Sequence, residues 1–315
     1  MSPQFTRRAL IGFTAVAALA AGCSNADPMA TSSPSATTGA SETAAATTIT
    51  VGSARFPEAE IIAELYAQTL EADGITVKRN MQIGARETYI AAIKDGSVDL
   101  LPEYTGNLLQ FWDPKTTAKS PEDVLSQLRD NTPEGLRVLD PSSAEDKDSW
   151  VVTSDFSSKN KVTSLADLST FGGKLRLAGN PELAERPYGP KGLTDIYGVP
   201  AANISFTPID DGGGPLTVQA LVDGDVDLAD IYSTTPAIAE NNFVVLEDPL
   251  NMIVSQQVFA LASEKVPASA DERLNAVSKA LTTDDLIAMN ARNQGDEKAS
   301  PSTIAADWLK EKGLI

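Results

Sequence analysis

Two tyrosines occupy the same place in two copies of one short motif, and they are the side chains whose type and spacing best suit ligand contact. Ala92-Ile93-Lys94-Asp95-Gly96-Ser97-Val98-Asp99-Leu100 aligns with Ala220-Leu221-Val222-Asp223-Gly224-Asp225-Val226-Asp227-Leu228 at an offset of 128 residues, and at that offset Tyr104 falls on Tyr232. Each copy reads as a helix ending at Asp-Gly, then a strand, then a tyrosine at the strand's C-terminal end. That edge is where open α/β sheets bind ligands. The motif also repeats an acid, Asp99 and Asp227, which a carboxylate enzyme could use as an acid–base pair; turn and capping preference explains an Asp there equally well. In Asp210-Asp211-Gly212-Gly213-Gly214-Pro215, three glycines could turn backbone N–H groups toward an anion at the start of the helix Pro215–Val222. No Gly-Lys-Ser/Thr follows and two aspartates precede, so a plain strand-to-helix loop is the expectation.

The rest of the inventory removes chemistry. The 315 residues include no histidine and one cysteine, which excludes Ser-His and Cys-His catalysis, an internal disulfide, a Cys/His zinc site and a CxxC redox pair. The formal charge of −18 has the wrong sign for binding nucleic acid.

The elements that must position the tyrosines are legible from periodicity. Ile49-Thr50-Val51-Gly52-Ser53 reads as a strand, and Glu58 to Asp73 as a helix with Ile61, Ile62, Leu65, Thr69 and Leu70 inward and Gly74 as its stop. Thr76 to Met81 is a second strand, Arg86 to Asp95 a second helix, and Val98 to Leu101 a third strand. Strands alternating with helices in this way predict right-handed βαβ crossovers and mainly parallel sheets. Further strands fall at Phe243–Leu246 and Gln257–Leu261, with helices near residues 270–281, 284–293 and 303–312. A chain that builds part of one lobe, completes a second and returns would cross near Trp150-Val151-Val152 and again near residues 252–259, a plan that permits hinge closure over a ligand.

The start of the chain reads as an address. Thr6-Arg7-Arg8 precedes an apolar run from Ala9 to Ala21, and Ala20-Ala21-Gly22-Cys23 resembles a bacterial lipobox, which would leave Cys23 lipidated as the new N-terminus. Thr6-Arg7-Arg8-Ala9-Leu10-Ile11 also looks like a twin-arginine export motif. Loss of residues 1–22 removes both arginines and no acid, taking the charge from −18 to −20. Residues 23–48, rich in Ala, Ser and Thr, suit a flexible tether.

Three runs in order carry a family resemblance: Val51-Gly52-Ser53-Ala54-Arg55-Phe56-Pro57-Glu58; Gly84-Ala85-Arg86-Glu87 followed by Asp99-Leu100-Leu101-Pro102-Glu103-Tyr104-Thr105-Gly106; and Glu185-Arg186-Pro187 followed by Tyr197-Gly198. With these the chain resembles the substrate-binding lipoproteins of ABC importers, specifically the glycine betaine, choline and carnitine (osmoprotectant, ProX/OpuC-type) family. The resemblance implies an α/β, two-lobed periplasmic-binding-protein-like fold of type II, with two mainly parallel sheets joined by a two-crossing hinge. Lobe 1 would comprise residues 49–149 and 256–315, and lobe 2 residues 150–255. It also implies a monomeric, extracytoplasmic, lipid-anchored receptor, with no catalytic residue, cofactor or metal, that delivers a small solute to a membrane permease.

A quaternary ammonium ion donates no hydrogen bond, so a protein selects it with aromatic faces, and a betaine's carboxylate needs cationic or hydroxyl partners opposite. By family motif, Tyr104, Tyr232 and Trp150 would supply cage walls and Asp148 an acid near the cation. Arg186 would grip a carboxylate, and Asn107 takes the place of a family threonine. The family's early lysine falls on Ala54, leaving Arg55 to replace its charge. A late cage tyrosine is missing from Met252-Ile253-Val254-Ser255-Gln256-Gln257, where Gln256 would offer hydrogen bonds instead. A different polar solute therefore stands as the alternative ligand, and a carboxylate-based cell-envelope enzyme as the alternative function.

Overall fold

The computed structural model describes residues 48–315; the export segment, Cys23 and all but the last residue of the expected tether lie outside the described residues. The described residues form ten strands: β1 (Thr48–Gly52), β2 (Thr76–Asn80), β3 (Leu100–Tyr104), β4 (Leu136–Val138), β5 (Trp150–Val152), β6 (Leu175–Gly179), β7 (Ile204–Pro208), β8 (Leu228–Asp230), β9 (Val244–Val245) and β10 (Val258–Ser263). They form two five-stranded sheets, ordered β2-β1-β3-β10-β4 and β7-β6-β8-β5-β9.

Both sheets are mixed. The strands linked by helical crossovers pair in parallel: β1 with β2 and β3, and β6 with β7 and β8. The strands that arrive from the other half of the molecule run the opposite way, so β10 is antiparallel to β3 and β4, and β5 is antiparallel to β8 and β9. Helix–strand alternation predicts only the first kind of pairing; a strand entering from the other sheet is free of the crossover rule. The chain passes between the sheets twice, after β4 and again before β10. The two passages lie side by side, bridged at Glu145–Gln257 and by the Val258 N–H to the Ala144 carbonyl at 3.0 Å.

Helix Pro57–Ala72 forms where the pattern places it: Pro57 opens the first turn, Glu58 and Glu60 sit at its positive end, and Ile61, Ile62, Leu65 and Leu70 are fully buried against the first sheet. Gly74 ends it in the left-handed region at φ +80°. The two repeat acids do matching work. Asp99 Oδ2 accepts from the Thr50 N–H at 2.7 Å and from Lys265 Nζ at 2.9 Å, and Asp227 Oδ2 accepts from the Arg176 N–H at 2.9 Å. Each ties the start of its strand to the neighbouring strand, and neither lines the cleft described below.

Candidate functional site

A cleft of about 640 Å³, counted out to its open mouth, lies where the C-terminal ends of strands from both sheets meet. The loop after β1 contributes Arg55 and Phe56, the end of β3 contributes Tyr104, and the first turn of helix Arg86–Lys94 contributes Arg86. From the second sheet come Asn180, just after β6, and Asp230 and Tyr232, at and after the end of β8. Asp146 and Asp148 enter from the first passage between the sheets.

One side of the cleft is aromatic. Phe56 stands between the two repeat tyrosines, with ring centroids 6.0 Å from Tyr104 and 5.2 Å from Tyr232, the latter edge-on at 66°. The Tyr104 hydroxyl donates to Glu58 Oε1 at 2.8 Å, and the Tyr232 oxygen accepts from Asn180 Nδ2 at 3.0 Å. Burial pushes both phenols well above their ordinary range, so both rings are neutral. Gly212 makes room for this stack: it sits at φ +69°, and a Cβ there would lie 2.9 Å from the Phe56 Cβ. Tyr188, 4% exposed, lines the cleft from the second-sheet side.

The charged groups divide into a paired set and an unpaired set. Arg86, reaching in beside Tyr89, is held by the fully buried Glu103 through Nε–Oε1 at 2.9 Å, and the Tyr89 hydroxyl donates to the same oxygen at 2.8 Å. Arg186 pairs with Glu87 at 2.8 Å, its guanidinium 5.9 Å from the Phe111 ring centroid. Arg55 Nη2 bonds both carboxylate oxygens of Glu182 at 2.9 Å, and Nη1 meets Asp210. Arg55 and Arg186 each reach a carboxylate carried by the opposite sheet's half of the molecule, closing the cleft with ion pairs.

Among the described residues, none of the buried acids Glu58, Asp146, Asp148 and Asp230 forms an ion pair, and Arg86 and Arg186 act on Asp148 only as more distant charges. Burial raises the Glu58 carboxyl, although Thr234, Tyr104 and Asn290 all donate to it. Asp146 is raised well above the aspartate range by burial first and by Glu58 second. Asp148 is raised by burial against a 2.7 Å hydrogen bond from Asn107 Nδ2. Asp230 is raised well above the range by burial first and the charge of Asp148 second. A cleft that holds aromatic rings and buried acids with no ion-pair partner, and whose arginines are each paired with another carboxylate, is suited to a cation and can meet an anion only by opening an ion pair.

The chain matches, over residues 47–311, the family model described as the substrate-binding domain of ABC-type glycine betaine transport systems. The chain belongs to that family. It is 28% identical over 285 residues to the glycine betaine-binding protein YehZ of Escherichia coli (strain K12), covering 85% of this chain and 92% of the relative. It is 25% identical over 287 residues to a glycine-betaine-binding protein of Pseudomonas aeruginosa, covering 86% and 90%. Among solved structures, one described as a glycine betaine/carnitine/choline ABC transporter superposes with a TM-score of 0.67 at 19% identity, over 84% of this chain and 99% of the other. Apo YehZ from Escherichia coli superposes at 0.61 with 27% identity, over 86% and 100%. The fold is thus the two-lobed, type II periplasmic-binding-protein-like fold. As a family member the chain is a solute-binding component of an ABC importer that works outside the cytoplasm, and it is not an enzyme.

Of the residues this substrate-binding family pointed to, Tyr104, Tyr232, Asn107, Asp148, Arg186 and Arg55 all line the one cleft, while Trp150 and Gln256 do not. Trp150, 2% exposed, packs in the core of the second sheet, and its indole N–H donates to the Tyr188 carbonyl at 3.2 Å. It therefore stands behind Tyr188, and Tyr188 is the ring that reaches the cleft. Gln256 is fully buried, with its amide spent on Asn107: Oε1 accepts from the Asn107 N–H at 2.9 Å and Nε2 donates to Asn107 Oδ1 at 2.7 Å. It thus holds Asn107 in place and adds no polar group to the cleft. The glycine loop and the helix it opens spend most of these N–H groups within the chain: Gly212 donates to Asn180 Oδ1 at 2.9 Å, and Gly214, Leu216 and Thr217 donate to Asp211 at 3.1, 2.7 and 3.1 Å.

Phe56, Arg86, Asp146, Tyr188 and Asp230 were missed as cleft residues. Phe56 left a usable signal, an aromatic just before Pro57 in a helix-opening loop at a strand's C-terminal end. Asp230 left another, lying two residues before Tyr232 in an apolar strand. Arg86 lies within the run Gly84-Ala85-Arg86-Glu87 and Tyr188 just after Glu185-Arg186-Pro187, but partners distant in sequence, Glu103 and Trp150, set their places in the cleft.

Proposed function

We propose that this chain captures a quaternary-ammonium osmoprotectant (glycine betaine, choline, carnitine or a related solute) in the cleft between its two sheets and hands it to a membrane permease. The observation that carries this reading is the gathering of Phe56, Tyr104 and Tyr232 beside Asp146, Asp148 and Asp230 at one strand-end cleft. A cation without N–H donors gains from ring faces and from nearby negative charge, and it needs nothing else. Residues 49–149 with 256–315, and residues 150–255, serve as lobes that turn about the paired passages between the sheets. Ligand capture is then a shift of population toward the form in which both tyrosines reach the same solute. Cys23 carries the lipid that keeps a monomeric receptor at the membrane. Cys23→Ser is expected to release it into the medium or periplasm, and retention of the variant in the membrane fraction would refute the anchor.

A thermal-shift screen tests the ligand class. At a hundredfold excess over its dissociation constant, a bound solute adds about 2.7 kcal/mol to stability. Choline, glycine betaine or carnitine is expected to raise the melting temperature. A shift with neutral sugars and with none of the three would reject the reading.

A further inference from the structure

Asp230 is 2% exposed, lines the cleft, and has an Oδ2 atom with no hydrogen-bond donor within reach. A buried carboxylate oxygen without a partner is costly, and proteins resolve the cost with a proton or a counter-cation. The groups around it say which are available. From the first passage between the sheets come Asp146 and Asp148; the antiparallel pairing of Trp150 with Asp230 and the Ile231 N–H to the Ser149 carbonyl set Asp148 diagonally beside Asp230 on the same face, and both acids line the cleft. The segment after β6 brings Arg186, committed to Glu87; Glu182, committed to Arg55; and Tyr188. From the first sheet's side come Arg86, committed to Glu103, and Glu58 behind Tyr104; Tyr232 follows on Asp230's own segment. Every cation on this list is already paired with a carboxylate of the chain: Arg86 and Arg186 act on Asp148 as more distant charges, and neither forms an ion pair with Asp148 or Asp230.

We propose that Asp230 is the residue through which this cleft selects a net cation of the choline kind over a zwitterionic betaine: it shares one proton with Asp148 and releases that proton to solvent when an ammonium head settles beside it. The balance is simple. The singly protonated pair and a monovalent cation become the same cation held by two ionised carboxylates, plus one hydrogen ion, and no bond within the ligand changes. Two acids in contact cannot both ionise cheaply without a counter-charge, and burial adds to that penalty, so the arriving cation supplies what the pair lacks. A betaine would bring a carboxylate of its own and would have to open the Arg186–Glu87 or Arg86–Glu103 pair to place it. The proposal rests on the quaternary-ammonium reading above.

Calorimetry with choline and with glycine betaine, each in two buffers of different ionisation enthalpy, reads both parts. Choline is expected to bind tighter than betaine with release of up to one proton, and its affinity to rise by up to about tenfold per pH unit above the ordinary aspartate range. Asp230→Asn is expected to erase the buffer dependence and shrink the choline-to-betaine preference at least tenfold. Asp148→Asn, which removes the other half of the pair, is expected to erase the proton release in the same way, and it decides the matter if Asp230→Asn does not fold. Binding with a buffer-independent enthalpy, or an unchanged preference in the variants, overturns this inference alone. Absence of heat with choline, betaine and carnitine alike overturns the ligand class and this inference with it.

Discussion

The two copies of the repeat spend their acids differently. Their shared aspartates, Asp99 and Asp227, do the same structural work, each tying a strand to its neighbour. Further along, the first copy places Glu103 inside β3, fully buried, neutralised by Arg86 and hydrogen-bonded by the Tyr89 hydroxyl. The second copy ends β8 at Asp230, equally inaccessible, with one oxygen that meets no donor. A buried acid with a guanidinium is part of the frame, and a buried acid without one is available to a ligand. One motif thus provides a support on one side of the cleft and a cation-seeking group on the other.

The largest effect should come from breaking the frame. Arg86→Ala leaves Glu103 buried without its counter-charge and is expected to cost about 3–5 kcal/mol in urea denaturation. Asp230→Asn should cost nothing or stabilise; an equal loss in both variants would abolish the distinction. Next come the rings. Tyr104→Ala and Tyr232→Ala are each expected to weaken quaternary-ammonium binding by about 1–2 kcal/mol, roughly five- to thirtyfold in calorimetric Kd. Tyr104→Ala should also lower stability, because Glu58 loses one of its three side-chain donors.

The pH dependence sharpens the same comparison. Asp230, raised by burial first and Asp148 second, binds more protons in the folded than in the unfolded chain as pH rises past the aspartate range. Its contribution therefore favours folding at low pH and declines as pH climbs toward its folded value. The stability of the wild type minus that of Asp230→Asn should fall as pH rises above the ordinary aspartate range, about pH 4. A flat difference would mean that Asp230 is ionised throughout. The smallest effect belongs to the shared acids: Asp99→Asn and Asp227→Asn should each cost about 0.5–1.5 kcal/mol of stability and leave ligand affinity unchanged.

Much of this frame is written locally. The Asp-Gly turns, the buried face of helix Pro57–Ala72 and the coincidence of Tyr104 with Tyr232 all follow from short-range periodicity. What the sequence hides is set by partners far away along the chain. Trp150 reads as a cage wall because it is aromatic and stands at the crossing. Its indole instead meets the Tyr188 carbonyl thirty-eight residues on, so the ring that lines the cleft is Tyr188. Gln256 reads as a polar replacement for a missing aromatic, but Asn107 takes up its amide. Arg86 and Arg186 are indistinguishable as residues; only their carboxylates, Glu103 fully buried and Glu87 53% exposed at its side chain, separate a fixed pair from one that can open. The antiparallel entry of β10 and β5 is hidden for the same reason, since strand direction is set by where the chain returns from.

A crystal structure of the protein with choline tests the account most directly. The account predicts the ammonium nitrogen within about 6 Å of the ring centroids of Phe56, Tyr104 and Tyr232, with the Asp230 carboxylate as its nearest charged group. Choline bound away from these rings, or seated among them with Asp230 turned aside and an arginine released to solvent, would contradict it.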